Sequence, residues 1–230
     1  MRKISSISAL LMLWWLCSVF CTQTNAFTDD FEDNKDDGWA RVVGEWVVKD
    51  GRYLQVQGGD LWQRAVLDEI NVRNEKFHLV AKGGLVKGTQ NNGWVGVVFL
   101  HQGVEEGKGG FYSFAAVYDG RNIARLFKSP SGKYPDVAWK KDAPFTPKPG
   151  EVYEFVVIVE GNVIKCLING KELIETEDPE IWKEGKVGLF STNAESFFEE
   201  ITVTGPGIPE AQVNPGGKMP LTWARIKGGI

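Results

Sequence analysis

The sequence has 230 residues, 26 of them basic and 30 acidic, for a formal charge of −4, and 12% are aromatic. Nucleic acid is not an expected partner of such an acidic chain, because a phosphate backbone demands a basic surface. The length suits one β-sandwich, since all-β domains often run to about 200–250 residues as a single unit.

The chain opens as an export signal. Arg2 and Lys3 supply the positive start, Ala9 to Phe20 the apolar run, and Thr24-Asn25-Ala26 a small-residue cleavage site. The run is shorter than the about 20 residues of a comfortable membrane span. No stable membrane insertion is therefore expected once residues 1–26 are removed. Cys21 follows Phe20, where a lipoprotein signal needs a small residue, so a lipid anchor is not expected. Residues 1–26 hold two basic residues and no acidic one, which leaves 24 basic against 30 acidic residues, a charge of −6, beyond them. Cys17 and Cys21 leave with the signal. Cys166 then stands alone within a predicted strand and reads as a buried, inert thiol. An exported protein without disulfides fits a bacterial secreted or cell-envelope location.

Strand signals fill residues 27–205. Gly44-Glu45-Trp46-Val47-Val48 and Arg52-Tyr53-Leu54-Gln55-Val56 flank Asp50-Gly51, a tight-hairpin pair. Leu61–Leu67, Lys76–Val86, Gly93–His101, Gly110–Tyr118 and Asn122–Lys128 follow, divided by glycine turns. Ser129–Gly150 is a long, proline-rich irregular stretch, read as a binding loop or an edge-covering flap. From Glu151 to Gly205 the strands Val152–Val159, Val163–Ile168, Lys171–Glu175, Gly185–Phe190 and Phe197–Thr204 read as a meander, with a hairpin at Asn169-Gly170. No ten residues show helical periodicity, although Asp178–Lys183 could form one short turn. Residues 206–230 shift to proline and glycine and read as a tail, in which Met219–Lys227 is either an attachment element or a frayed end.

Several of these segments carry a family resemblance. Asp30-Phe31-Glu32, Gly44-Glu45-Trp46, Asp50-Gly51, Asn169-Gly170, Gly185, Gly188-Leu189 and Phe197 to Val203 resemble the concanavalin A-like lectin/glucanase superfamily. The nearest branches are laminin G-like and 3-keto-disaccharide hydrolase-like domains. The resemblance spans about residues 27–205 and implies an all-β, concanavalin A-like jelly-roll sandwich of two antiparallel sheets. It implies little about activity, because the superfamily hosts lectins, hydrolases and adhesive domains.

Catalysis finds weak support in the residues. Glycosidases need two carboxylates, about 5–5.5 Å apart for retention and about 6.5–9.5 Å for inversion. Superfamily glucanases set theirs in a Glu-x-Asp-x-x-Glu pattern, which does not occur here. The keto-sugar branch tends to carry Glu-x-Gln where this chain has Ser113 and Ala115. His78 and His101 read as structural imidazoles. Sugar binding needs aromatic platforms and hydrogen-bonding side chains. Trp39 and Trp46 read as core, and Trp62, Arg64, Tyr112, Tyr118, Arg125 and Trp139 form the candidate ligand site. The competing reading for each aromatic is core packing. Relatives often hold a structural calcium between an early carboxylate and the last strand, which implies Asp30, Glu32 and Glu200, or Glu199 in place of Glu200, as ligands. The alternative is a solvated acidic strand entry. The expected function is a secreted, non-catalytic, lectin-like domain whose partner is a glycan or polysaccharide. A glycoside or 3-keto-disaccharide hydrolase of the same fold, and a structural or adhesive cell-envelope domain, are the alternatives.

Overall fold

A computed structural model describes residues 25–59, 61–90, 92–105, 109–206 and 208. The expected export signal lies outside these residues except for its last two, and the expected tail except for residues 206 and 208. Sixteen strands and no helix occur among the described residues. They are β1 (Ala26–Asp29), β2 (Trp39–Val43), β3 (Trp46–Lys49), β4 (Arg52–Gln55), β5 (Gln63–Leu67), β6 (Val72–Arg73), β7 (Phe77–Leu85) and β8 (Gly93–His101). The second half adds β9 (Phe111–Tyr118), β10 (Ile123–Ser129), β11 (Trp139–Pro144), β12 (Tyr153–Glu160), β13 (Val163–Ile168), β14 (Lys171–Glu177), β15 (Glu184–Thr192) and β16 (Ser196–Thr204).

The strands make two eight-stranded sheets. The first runs β14-β13-β12-β7-β16-β4-β3, with β1 also on β16; the second runs β11-β10-β9-β8-β15-β5-β2, with β6 also on β15. Every pairing is antiparallel, as the expected jelly-roll sandwich requires. Alternation drives the packing. In β12, Tyr153, Phe155, Val157 and Val159 turn inward and are buried, while Glu154, Val156 and Ile158 are half-buried on the other face. Both predicted hairpins form at positive φ: Asp50 and Gly51 at 54° and 68°, Asn169 and Gly170 at 52° and 74°.

Three expectations need correction. The stretch 151–205 is not one meander. β12 to β14 stay together in the first sheet, but β15 crosses to the centre of the second sheet and β16 returns to the first. Gly188 permits that central place, because a Cβ there would run into the Ala65 carbonyl oxygen on β5. The irregular stretch 129–150 contains β11, paired to β10 from Lys128↔Trp139 to Ile123↔Pro144. It lacks an apolar alternation because it is an edge strand: Lys140, Lys141 and Asp142 are exposed and only Ala143 is buried. Residues 178–183 form no helix, only a single turn closed by the Ile181 amide on the Asp178 carbonyl at 3.1 Å. Asp178 also accepts from the Glu180 amide at 2.9 Å and holds a charged cluster beneath the edge of the sandwich.

That cluster is buried. Asp178 Oδ2 accepts from Tyr112 Oη at 2.5 Å, Lys128 Nζ at 3.0 Å and Trp139 Nε1 at 3.2 Å. Lys128 also donates to the Glu180 carbonyl at 2.8 Å and lies 5.2 and 5.0 Å from the Tyr112 and Trp182 ring centres.

Candidate functional site

The second sheet has one face in the core and one face turned away from it. Alternation sends Phe111, Ser113, Ala115 and Val117 of β9 outward and Tyr112, Phe114, Ala116 and Tyr118 inward. The outward face carries a second apolar layer of Val42, Val66, Val98, Phe111, Phe127 and Phe190. The register aligns Arg125 (β10), Ala115 (β9), Gly96 (β8), Phe190 (β15) and Arg64 (β5) in one row across it. Four strand spacings put the two arginine backbones roughly 19 Å apart. The middle of the row is low, because Ala115 is small and Gly96 has no side chain. A Cβ at Gly96 would run into the Phe114 carbonyl oxygen.

Aromatic and charged side chains cover this floor. The Trp62 ring lies 5.5 Å from Phe111 and 5.0 Å from Phe127, and Tyr134 stands edge-on to it at 5.5 Å. Tyr134 is 68% exposed. At the other end Trp94 meets two guanidiniums, Arg121 at 5.2 Å and Arg125 at 5.3 Å from its ring centre. Each arginine has its own carboxylate. Arg125 makes a two-pronged pair with Asp142 at 2.6 and 2.7 Å, and Arg121 pairs with Asp119, which also accepts from Trp94 Nε1 at 3.3 Å. The Arg121 hydrogen bond holds the Asp119 carboxyl below its ordinary pKa, and the Arg125 hydrogen bond does the same for Asp142. Both are anions at neutral pH, so neither serves as a general acid. Arg121 also lies within electrostatic reach of the Tyr134 phenol.

Beneath Gly132, in the same loop as Tyr134, Arg64 and His101 form a buried pair. Arg64 Nε donates to His101 Nε2 at 3.1 Å, and Arg64 Nη1 donates to the Trp62 carbonyl at 2.7 Å. Its guanidinium lies 4.5 Å from the Phe111 ring centre. His101 stacks on Phe111 and, as the neutral tautomer, donates from Nδ1 to the Gly103 carbonyl at 2.8 Å. Burial, then the adjacent Arg64 charge, pushes the His101 pKa down to about 3. Between pH 6.5 and 3 the unfolded chain therefore binds a proton that the folded chain refuses. The folded state loses stability as pH falls through that window. Urea unfolding at pH 7, 5 and 4 is expected to show a shallower acid loss for His101→Gln than for the parent. Equal pH slopes for the two would mean that His101 titrates freely.

The outward face unites Trp62, Arg64 and Arg125 of the expected site. It does not hold Tyr112, Tyr118 or Trp139. Tyr112 is fully buried and Tyr118 packs against the core between the sheets. Trp139 is half-buried, with its ring 5.9 Å from Tyr112 and its indole on Asp178. Tyr112, Phe114, Ala116 and Tyr118 do share a face, but it is the face opposite Arg125. Arg125 is itself the signal that separates them, since its partner across the ladder is Ala115. Trp94, Asp119, Arg121, Tyr134 and Asp142 belong to the outward cluster and were not expected there.

The residues expected to hold calcium make contacts of their own. Asp30 Oδ1 accepts from the Glu32 amide at 3.2 Å, Glu200 pairs with Lys82 at 3.2 Å, and Glu199 pairs with Arg52 at 2.6 Å. Among the described residues, no three histidine, cysteine or acidic side chains are grouped to hold a metal ion. No helix among them is long and apolar enough to cross a membrane.

Comparison with known proteins bears on the family and the fold. A family model described as a 3-keto-alpha-glucoside-1,2-lyase-like domain matches residues 26–204. Among solved structures, the carbohydrate-binding module CBM66 from Bacillus subtilis aligns with a TM-score of 0.61 at 16% identity, covering 73% of this chain and 96% of that one. A prokaryotic β-1,3-1,4-glucanase (lichenase) derived from a mouse hindgut metagenome aligns with a TM-score of 0.56 at 12% identity, covering 78% and 98%. The GH43 protein BlXynB from Bacillus licheniformis aligns with a TM-score of 0.56 at 15% identity, covering 76% of this chain and 38% of that one. These likenesses show the concanavalin A-like jelly-roll fold. A comparison with curated proteins finds no significant match.

Proposed function

Because the chain belongs to the 3-keto-alpha-glucoside-1,2-lyase-like domain family, we propose that it binds a saccharide on the outward face of its second sheet and does not transform it. The observation that carries this reading is the exposed Tyr134 ring standing on Trp62, with Trp94 and its two arginines at the other end of the same face. A sugar ring has an apolar face and a rim of hydroxyls. An exposed aromatic takes the former, and fixed guanidinium–carboxylate pairs take the latter. The pairs Arg121–Asp119 and Arg125–Asp142 present donors and acceptors already held in place, so little ordering cost remains for binding. Export to the bacterial envelope, suggested by residues 1–26, would put such a domain where polysaccharides are met.

Tyr134→Ala tests the proposal. The ring is exposed, so its removal should leave the melting temperature within about 1–2 °C of the parent, as for most surface changes. Binding on a glycan array should fall at least about tenfold, the worth of roughly 1.4 kcal/mol of stacking. Undiminished binding by the variant would move the site elsewhere.

Family membership favours one competitor, a lyase acting on 3-keto-α-glucosides. That chemistry needs a base for the C2 proton, which the neighbouring ketone acidifies, while the C1 substituent leaves. Here Asp119 and Asp142 are held as weak bases by their arginines, and His101 Nε2 is occupied by Arg64. Ser113 and Ala115 replace the polar pair that the keto-sugar branch tends to carry. Incubation with a 3-keto-α-glucoside should release no aglycone above the uncatalysed rate; release would establish the lyase instead.

A further inference from the structure

Arg64 carries a charge for which the described face has no counterion. Its side chain is 1% exposed, its Nε and Nη1 donate to neutral acceptors, and Nη2 is buried with no hydrogen-bond partner. Burial lowers its pKa to about 10. The two carboxylates of the cluster are engaged by Arg125 and Arg121. Three guanidiniums therefore share two carboxylates, with Arg64 as the excess. A buried charge without a partner is strongly unfavourable, and buried polar groups are nearly always satisfied, so an orphan of this kind calls for a missing partner.

Two more orphans lie on the same face. Ser113 Oγ and Thr192 Oγ1 are buried without partners. Ser113 sits one pleat to one side of the Arg64–Arg125 row, in register with Phe127 and Val98; Thr192 sits one pleat to the other side, in register with Trp94. Half of the six orphaned side-chain atoms among the described residues thus belong to one sheet face. Together they put one cationic donor and two hydroxyls on that face. Its complement is a saccharide whose hydroxyls are joined by one anionic group.

Resting on the saccharide-binding reading above, we infer that the ligand is an acidic saccharide whose carboxylate takes the free Nη2 of Arg64, which makes Arg64 the specificity-determining residue. A carboxylate forms a short, charge-assisted hydrogen bond with a guanidinium and neutralises it in the same contact. A neutral sugar hydroxyl accepts the hydrogen bond but leaves the charge uncompensated. The way in lies under residues 130–138. A Cβ on Gly132 would stand 3.6 Å from Arg64 Nη2, so this loop roofs the guanidinium. Among the described residues, the hydrogen bonds of the loop run within itself or to Lys128 and Ser129 at its root. It can therefore lift without breaking a hydrogen bond to the described sheet face below, giving up the Tyr134–Trp62 contact, and Tyr134, which the saccharide stacks on, moves with it.

The experiment is calorimetric titration of the parent, Arg64→Met and Tyr134→Ala with two oligosaccharides of the same linkage, a polyuronate and its neutral carboxyl-reduced form. The parent should bind the polyuronate at least tenfold more tightly than the neutral form. Arg64→Met should erase that preference and, having lost an uncompensated buried charge, should melt no lower than the parent without ligand. Equal affinity of the parent for both oligosaccharides would overturn the carboxylate assignment while leaving saccharide binding in place, provided that Tyr134→Ala weakens both. Absence of binding to either oligosaccharide, and to any glycan on an array, would overturn both readings. The parent's acid-to-neutral ratio decides the matter even if Arg64→Met fails to fold.

Discussion

Replacing Asp178 with alanine is expected to lower stability by about 3–5 kcal/mol, the cost of leaving a buried ionic partner uncompensated. Lys128 would remain within a sandwich edge that admits little water, with side-chain exposures of 9% for Lys128 and 6% for Asp178. Tyr112 Oη and Trp139 Nε1 would lose their acceptor at the same time. Asp178→Asn should cost less, since the amide oxygen still accepts from Tyr112 and Trp139. A paired replacement, Lys128→Met with Asp178→Leu, should recover most of the loss, because the charge and its counterion leave together. The carboxyl is also a pH sensor of the fold. Burial alone would raise its pKa, but the hydrogen bonds from Tyr112, Lys128 and the Glu180 amide prevail and leave it lowered. Its contribution is therefore complete above the ordinary carboxylate range near pH 4 and is lost as pH falls below that range. Urea unfolding of parent and variants at pH 7 and pH 3 reads all of this. A loss under about 1 kcal/mol for Asp178→Ala at pH 7 would mean that the pair behaves as a surface salt bridge.

Trp46→Ala is expected to cost a similar about 3–5 kcal/mol, by a different route. Trp46 is fully buried, its ring centre 5.4 Å from Tyr53 and 6.2 Å from Phe198. Its Nε1 donates to the Val43 carbonyl at 2.9 Å, across the turn that carries the chain from the second sheet to the first. Alanine would open a cavity under β3 and leave that carbonyl without its donor. Trp46→Phe should recover about half of the loss by refilling the cavity without the hydrogen bond. This loss should be nearly independent of pH between 7 and 3, because no titrating group is involved, whereas that of Asp178→Ala should shrink in acid. The contrast separates a cavity effect from a charge effect in two otherwise equal variants.

These two residues mark where the sequence was readable. Trp46 stands in Gly44-Glu45-Trp46 ahead of the Asp50-Gly51 hairpin. Its burial follows from strand alternation and turn chemistry, both of which act over a few residues. Asp178 sits after a strand, next to Pro179, and looks like a solvated acid. Its partners Tyr112, Lys128 and Trp139 are 66, 50 and 39 residues away. No local pattern announces a charge cluster assembled from four separate segments. Trp139 stands apart from the outward face for the same reason. Its lysine neighbours are exposed because β11 is an edge strand, while its own indole is drawn inward by Asp178.

By itself, the sequence determined the fold class, the positions of most strands, the two type I′ hairpins and the core tryptophans. Each of these depends on a period of two or on the φ preferences of a dipeptide. Only the tertiary structure decided which face of β9 meets the core, that β15 crosses to the second sheet, and that Arg64 and Arg125 share one row of a common face. Parity and register belong to pairs of strands, and a pair is settled by partners that lie far away in the chain. The site inherits that dependence. Arg64 and Trp62 could be named from their strand alone. The uncompensated charge on Arg64, and with it the acidic ligand, became visible once the fold had brought Arg125, Asp142, Asp119 and His101 around the same face.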